Sequence, residues 1–418
     1  MNGFFEDIKM FSIKGISMIG NLTNGALAGL TPNGEKLIQS IVAGKSIDTE
    51  LLDTEQKQLF SFLQQNGFLF GLCAPAQKVK GAYIHVNSKC NLHCKGCYSY
   101  VDHRNECDEL PITQWFDILD QLSKLDYQNL IISGGEPILR KDLLEILKYA
   151  KEKAGIKRLA LISNGTMQSQ MYDGIIPYLD CISISIDGYN ENVSFIRDSG
   201  IMPTVLSTVR YLKEKIPVQL IVTLHKKNVV FMHDYQELAE KLGVIMTYSI
   251  FTVDETANDF SEYLFDEDDF VQIGQTVANS GKPTTIMDSP MEKVGLNCRS
   301  CCGFGNSLIS IGYNGNVYPC HMLHYDDCIM GNVATKSLKE ILSVPDFDTR
   351  DISVDKVTGC KSCDYKYICG GGCRGRSFLK YKDFAHKDPY CKAAIKFYDD
   401  TFLKLQKLAD NHVPSKAC

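Results

Sequence analysis

The sequence predicts an α/β protein built around a partial (β/α)6 barrel, with a small winged-helix-like unit before it and a cysteine-rich domain after it. Three observations carry this. Residues 82–250 alternate β-rich runs with amphipathic helical patterns, which implies a parallel sheet with helices outside. The first 75 residues carry two candidate strands and about three candidate helices without a metal motif. From Cys298 to Cys391 cysteines cluster at short spacings. A chain of 418 residues exceeds one ordinary core, and we divide it at 1–75, 76–295 and 296–418.

Hydrophobic residues make up 44% of the chain and charged residues 22%, the mix of a globular protein. Net charge is −6 and no basic patch argues for nucleic acid. No run of 18 apolar residues argues for a membrane span, and the N-terminus lacks the basic flank and apolar run of a signal peptide. Seventeen cysteines in such a chain point to metal rather than disulfides, and to a reducing, cytoplasmic setting.

In the first 75 residues, Ile13–Ile19 and Ala26–Leu30 read as strands around an Asn24-Gly25 turn. Thr31 reads as an N-cap with Pro32 at the first helical position, and Leu37, Ile38, Ile41 and Val42 give that helix its apolar stripe. Leu59, Phe62 and Leu63 do the same for a later helix ending at Gly67. In the barrel, the strands are Tyr83–Val86, Leu130–Ser133, Leu159–Ser163, Ile182–Ile186, Val218–Leu224 and Ile245–Ile250. The helices are Thr113–Leu125, Asp142–Ala154, Gln168–Tyr178, Val205–Lys215 and Tyr235–Leu242. The acidic run Asp266–Asp269 lacks calcium-loop spacing and reads as a solvated helix start. Ala393–Leu408 reads as a capping amphipathic helix.

The loop after the first barrel strand carries Cys90, Cys94 and Cys97 at spacing C-x3-C-x2-C. Three thiolates this close can hold three irons of a four-iron, four-sulfur cluster and leave the fourth iron open. Two other readings remain at this level: a zinc site completed by His93, which directly precedes Cys94, and a redox dithiol of Cys94 and Cys97. With Tyr98 beside the last cysteine, this segment resembles the signature of the radical S-adenosylmethionine (SAM) enzymes. The resemblance implies that Cys90, Cys94 and Cys97 bind a [4Fe–4S] cluster and that SAM chelates its open iron. Cleavage of SAM then yields a 5′-deoxyadenosyl radical that abstracts hydrogen from substrate.

Further motifs lie at strand ends, where ligands bind in barrels. Gly134-Gly135-Glu136-Pro137 follows the second strand and resembles the family's SAM-contacting GGEP segment. By the same resemblance, Asn164, Ser185 and Asp187 lie near the ribose or carboxylate of SAM, and Arg197 faces the methionine carboxylate, which a guanidinium can bind in bidentate fashion. Read as residues alone, Asn164 and Asp187 suit turn capping and Arg197 a surface charge.

Cys302 is followed after twelve residues by Gly315 and, after four more, by Cys320. Cys360, Cys363, Cys369 and Cys373 follow at C-x2-C-x5-C-x3-C, and then Cys391. This resembles the SPASM extension of radical SAM enzymes. It implies two auxiliary [4Fe–4S] clusters, making three in all. The near one takes Cys302, Cys320, Cys373 and an upstream cysteine; the far one takes Cys360, Cys363, Cys369 and Cys391. The upstream ligand is Cys298 or Cys301, and adjacency to Cys302 favours Cys298. Cys73, Cys107, Cys181, Cys328 and Cys418 are left as thiols. Relatives that oxidise a sulfatase residue carry aspartate after the second SPASM cysteine, where this chain has His321.

The N-terminal unit resembles the leader-recognition domains of peptide-modifying radical SAM enzymes, which bind a peptide along a strand edge. Its other reading is a packing extension of the catalytic domain. The resemblance implies a maturase of ribosomally synthesised peptides, forming a thioether or other cross-link. Its partners would be a precursor peptide with a leader and an electron donor such as flavodoxin or ferredoxin, with no nucleic acid and no membrane. The alternatives are a sulfatase-maturase-like enzyme acting on a folded protein, an enzyme acting on a small molecule, and a non-catalytic iron–sulfur electron carrier.

Overall fold

The computed structural model describes residues 3–71, 80–99, 105, 109–254, 260–281, 284–287, 289–291, 296–349 and 352–412. The N-terminal unit contains β1 (Gly3–Phe4), β2 (Ile8–Ile13), β3 (Ile16–Asn21), β4 (Leu27–Leu30), α1 (Pro32–Val42), α2 (Thr54–Gln65) and β5 (Leu69–Phe70). β2, β3 and β4 form an antiparallel sheet, while β1 pairs with β5. The strand expected over Ile13–Ile19 is two strands. Lys14 and Gly15 both take positive φ, so the chain reverses there in a two-residue hairpin and Ile13 faces Ile16. The Thr31 hydroxyl accepts the Gly34 N–H at 3.1 Å and starts α1 as expected. Leu37, Ile38 and Ile41 are buried, but Val42 is 57% exposed and leaves the stripe. With Ile19, Phe60, Leu63, Phe68 and Leu69 they form a core of their own. The boundary read at 75–76 lies outside the described residues.

The barrel region runs β6 (Lys80–His85), α3 (Ile112–Lys124), β7 (Tyr127–Ser133), α4 (Leu143–Glu152), β8 (Arg158–Ser163), β9 (Cys181–Ile186), α5 (Met202–Leu212), β10 (Val218–Leu224), α6 (Met232–Leu242) and β11 (Ile245–Ile250). β6 to β11 lie side by side in sequence order, all parallel. Each crossover therefore advances one strand. There is no reversal point as in a doubly wound sheet, and the strand ends gather on one side as in a barrel. The expected helix over Gln168–Tyr178 is instead two 3-10 turns, Ser169–Tyr172 and Ile176–Tyr178. Gly174 and Pro177 interrupt it, one costing backbone entropy and the other lacking an N–H.

After β11 come α7 (Glu267–Asn279) and β12 (Thr285–Ile286), which adds a parallel strand beside β11. The acidic run starts α7 with a capping box of Asp266 and Asp269. The cysteine-rich region contributes β13 (Leu308–Ile311), β14 (Asn316–Tyr318), β15 (Gly331–Asn332), α8 (Leu338–Ser343), α9 (Lys366–Cys369), α10 (Arg374–Tyr381) and α11 (Cys391–His412). β13 pairs in parallel with β6, so this region continues the barrel sheet past its first strand and brings Cys320 beside the barrel mouth. α11 packs on α7 through Ala393 and Phe397, where Gly274 leaves no room for a side chain: a Cβ would lie 2.5 Å from the Ala393 carbonyl oxygen.

Candidate active site

An open cavity of about 1220 Å³ sits at the C-terminal ends of the barrel strands. Cys90, Cys94 and Cys97 line it together, along with Tyr98, Gly134, Gly135, Asn164, Ser185 and Arg197. The cysteine loop is held against the end of β7 by backbone contacts. Gly135 N–H donates to the Asn87 carbonyl at 3.0 Å and Glu136 N–H to the Lys89 carbonyl at 2.7 Å. A Cβ on Gly135 would lie 2.1 Å from the Lys89 oxygen, and one on Gly134 2.5 Å from the Asn87 oxygen. The paired glycines therefore let two loops touch, besides opening backbone to the cavity.

Glu136 and Pro137 are outside the lining. The Glu136 side chain is fully buried and turned under the strand ends. It accepts from Ser163 Oγ at 3.0 Å, Asn164 N at 2.8 Å and Ile138 N at 3.2 Å. Burial pushes its carboxyl up to about 7, with those hydrogen bonds opposing. It holds the Ser163–Asn164 turn rather than reaching into the cavity. Asn164 Nδ2 is 3.9 Å from Cys90 Sγ and donates to Asn91 Oδ1 at 2.9 Å.

Asp187 is likewise buried and off the cavity wall. Its carboxylate accepts the N–H groups of Phe195, Ile196 and Arg197 and the Ser194 hydroxyl. It therefore folds the loop that presents Arg197. The Arg197 Nη1 lies 3.8 Å from Cys94 Sγ, and its Nε is buried without a partner. Burial raises the Cys94 thiol, and Arg197 is the largest influence lowering it. Three thiols and a guanidinium with an unspent donor on one wall suit an iron–sulfur cluster and an anionic ligand group. Among the described residues no three His, Cys, Asp or Glu side chains converge closely enough for a single metal ion, as the zinc reading requires.

Thr223 and Ser249 were not in the expected site: they also line the cavity, with their hydroxyls 3.1 Å apart at the ends of β10 and β11. The sequence carried a signal for them: β7 to β11 each place a small hydroxyl residue at or next to the strand's last position, Ser133, Ser163, Ser185, Thr223 and Ser249. His321 also lines the cavity, stacked on Tyr83 at 4.1 Å, with its Nδ1 buried and unpartnered. Burial lowers it to about 4, and neighbouring His85 to about 3, so both are neutral near pH 7.

A second cavity, of about 910 Å³, is lined by all four cysteines expected around the far cluster, Cys360, Cys363, Cys369 and Cys391, with Gly371 and Gly372. Near the barrel, Cys320 and Cys373 share a buried cluster with Cys301. Cys301 is hydrogen-bonded to Cys302, and that bond lowers the Cys302 thiol. The expected upstream cysteine departs from this group. Cys298 Sγ packs against Gly20 of β3, where a Cβ would come within 2.3 Å, and its N–H donates to the Gly25 carbonyl. Cys298 thus packs on the N-terminal sheet, whereas Cys301 lies with Cys320 and Cys373. Cys73, Cys107 and Cys418 lie outside the described residues.

The Radical SAM superfamily model matches residues 84–242, and the SPASM iron–sulfur cluster-binding domain matches residues 301–364. The chain is a radical SAM enzyme with a SPASM domain. The alternative of a non-catalytic electron carrier falls with that. The radical SAM assignment implies SAM and a [4Fe–4S] cluster, and the SPASM domain implies additional iron–sulfur clusters. The chain is 26% identical over 340 residues to the AdoMet-dependent heme synthase of Methanosarcina barkeri, covering 73% of this chain and 94% of that protein. It is 26% identical over 317 residues to the mycofactocin maturase MftC of Mycobacterium tuberculosis, covering 72% and 80%. The crystal structure of Streptococcus suis SuiB bound to precursor peptide SuiA shares the fold, with TM-score 0.57 and 16% identity over 94% of this chain and 100% of that one. Among the described residues no helix of this radical SAM enzyme is long and apolar enough to cross a membrane.

Proposed function

We propose that this enzyme is a cytoplasmic maturase of a ribosomally made precursor peptide. The observation that carries the reading is the convergence of Cys90, Cys94, Cys97 and the unspent Arg197 donor on one open cavity, with two further cysteine groups behind it. When bound there, cluster and SAM supply a 5′-deoxyadenosyl radical for hydrogen abstraction. Arg197 holds the SAM carboxylate, Gly134, Gly135, Asn164 and Ser185 border the ligand, and Tyr98 screens the cluster. Glu136 and Asp187 act from behind by fixing the turns at Asn164 and Arg197. The two further groups hold auxiliary clusters, with Cys301 in place of Cys298, and three clusters in all. Clusters held there would supply an acceptor for the electron released when the substrate radical closes a thioether, by joining a substrate thiolate, or another cross-link. Flavodoxin or ferredoxin is the class of donor that suits the first cluster.

The N-terminal unit, through residue 75, supports the peptide reading. β2 and β4 are the two edges of its sheet, and a leader segment can add there as a further strand. MftC and SuiB are by name a maturase and a protein bound to its precursor peptide. Imidazole at His321, rather than carboxylate, counts against the sulfatase-type reading.

The test is an anaerobic assay of reconstituted enzyme with SAM and dithionite. 5′-Deoxyadenosine is followed, and iron is counted in the same sample. Deoxyadenosine with about twelve irons, rising on addition of a short peptide with its leader, is the expected result. About four irons would sink the auxiliary clusters, and absence of leader binding would move the reading to a folded-protein or small-molecule substrate.

A further inference from the structure

Two arginines stand fully buried at the start of α10, Arg374 at 0% and Arg376 at 2% exposure. Arg376 is answered by Asp388, with Nη2 to Oδ2 at 2.8 Å and Nε to Oδ1 at 3.1 Å. Arg374 is not. Its Nη1 donates to the carbonyls of Phe384 and His386, each at 2.8 Å, and its Nη2 to that of Gly371. Its Nε donates to nothing, and among the described residues no carboxylate pairs with it. A buried cation surrounded only by neutral carbonyls is costly unless negative charge lies nearby.

Negative charge is available on both sides. Cys373, immediately before Arg374, belongs to the near cysteine group, and the Arg374 backbone N–H points at Cys302 Sγ. Gly371, whose carbonyl the guanidinium holds, lines the cavity of Cys360, Cys363, Cys369 and Cys391. A Cβ on Gly371 would lie 3.3 Å from the Arg374 Nη2, so the guanidinium sits directly against this glycine. One residue thus touches both groups, with its backbone toward one and its guanidinium toward the other.

We infer that Arg374 is the shared internal counter-cation of the two auxiliary cysteine groups and sets the electron affinity of the clusters they hold. This rests on both groups holding four-iron clusters, the reading proposed above. Four thiolates around a [4Fe–4S] core leave net negative charge, which grows by one on reduction. A nearby cation therefore favours the reduced form, and strongly so away from water. Arg374 acts through the clusters and not on substrate.

The experiment uses the full chain, reconstituted anaerobically, with iron counted. Auxiliary-cluster midpoints are read by dithionite titration followed by electron paramagnetic resonance. Arg374→Met is expected to weaken reduction about tenfold, a downward shift of about 59 mV for a one-electron couple. Arg374→Lys keeps the charge but not the fork to three carbonyls, and should stay near the wild-type midpoint. Asp388→Asn removes a carboxylate that lines the same cavity as Cys360, Cys363, Cys369 and Cys391 and should shift the midpoint upward. It provides the sign test if Arg374→Met loses iron. Equal midpoints in wild type and Arg374→Met at equal iron content overturn the inference. A Lys variant shifted as far as Met, or no upward shift in Asp388→Asn, does so too. A wild type holding about four irons is a distinct failure, that of the cluster reading itself, and takes this inference with it.

Discussion

Asp187 and Arg197 are neighbours without being an ion pair. The Asp187 carboxylate accepts the Arg197 backbone N–H at 3.3 Å, together with those of Phe195 and Ile196, while the guanidinium turns away to Cys94 Sγ at 3.8 Å. An aspartate at the end of β9 thus spends its charge on three backbone donors and leaves the arginine's charge for the cavity. A carboxylate paired with that guanidinium would have competed with an anionic ligand.

Loss of the Arg197 charge should therefore be read in SAM binding. A charge-assisted hydrogen bond contributes about 1.5–3 kcal/mol. Arg197→Gln is expected to weaken SAM binding roughly ten- to hundredfold, with the iron content unchanged. Equilibrium binding of SAM to the reconstituted enzyme checks this. Unchanged affinity would show that the guanidinium serves only Cys94.

Gly135→Ala should act through the cysteine loop. The new methyl would meet the Lys89 carbonyl oxygen at 2.1 Å, and that oxygen belongs to backbone that cannot yield cheaply. The loop carrying Cys90 must shift. The expected outcome is loss of about four irons and of deoxyadenosine formation, with the far cysteine group still loaded. Full iron and wild-type turnover would show that the loop tolerates the shift.

Glu136 links pH to stability. Burial raises its carboxyl from the ordinary range to about 7, so the folded state holds this proton more tightly than the unfolded chain does. Its contribution is fully present below pH ~4.5 and is lost as pH rises through about 7. Denaturation of wild type and Glu136→Gln at a series of pH values isolates it, because the other titrations cancel in the difference. The stability advantage of wild type over the variant should shrink between those limits, by a few kcal/mol at most. A difference that stays flat across the window would contradict the raised value.

The two upstream cysteines separate cleanly. Cys301→Ser should reduce the iron held by the near group or alter its spectrum, whereas Cys298→Ser should leave iron content unchanged. Iron counting with electron paramagnetic resonance decides it. The opposite pattern would return Cys298 to the ligand set and require the Gly20–Cys298 contact to open.

Much of this site was legible in one dimension because its donors are close in sequence. Cys90, Cys94 and Cys97 lie within a single loop, and a thiolate set at short spacing constrains its own geometry. The six barrel strands were legible for a similar reason, since β-branched runs between amphipathic helices leave few arrangements. What failed were readings in which direction matters more than position. Glu136 and Asp187 occupy strand ends as expected, yet their side chains point behind the cavity. Backbone donors there must be satisfied, and a buried carboxylate meets that need. The Lys14–Gly15 turn escaped because only φ, not residue type, sets a lysine apart at a hairpin.

The order of residues set the chemistry of the chain: where thiols cluster along it, which strand ends carry polar residues, and that a SPASM region follows a radical SAM barrel. Tertiary structure alone decided which of those groups face one another. It took β13 pairing with β6 to bring His321 over the cavity, β3 packing to draw Cys298 away from Cys302, and the fold of α10 to bury Arg374 between two cysteine groups. The reason is physical. Ligand spacing is a local property of the backbone, whereas burial, pairing and the absence of a counter-charge depend on segments hundreds of residues apart coming into contact.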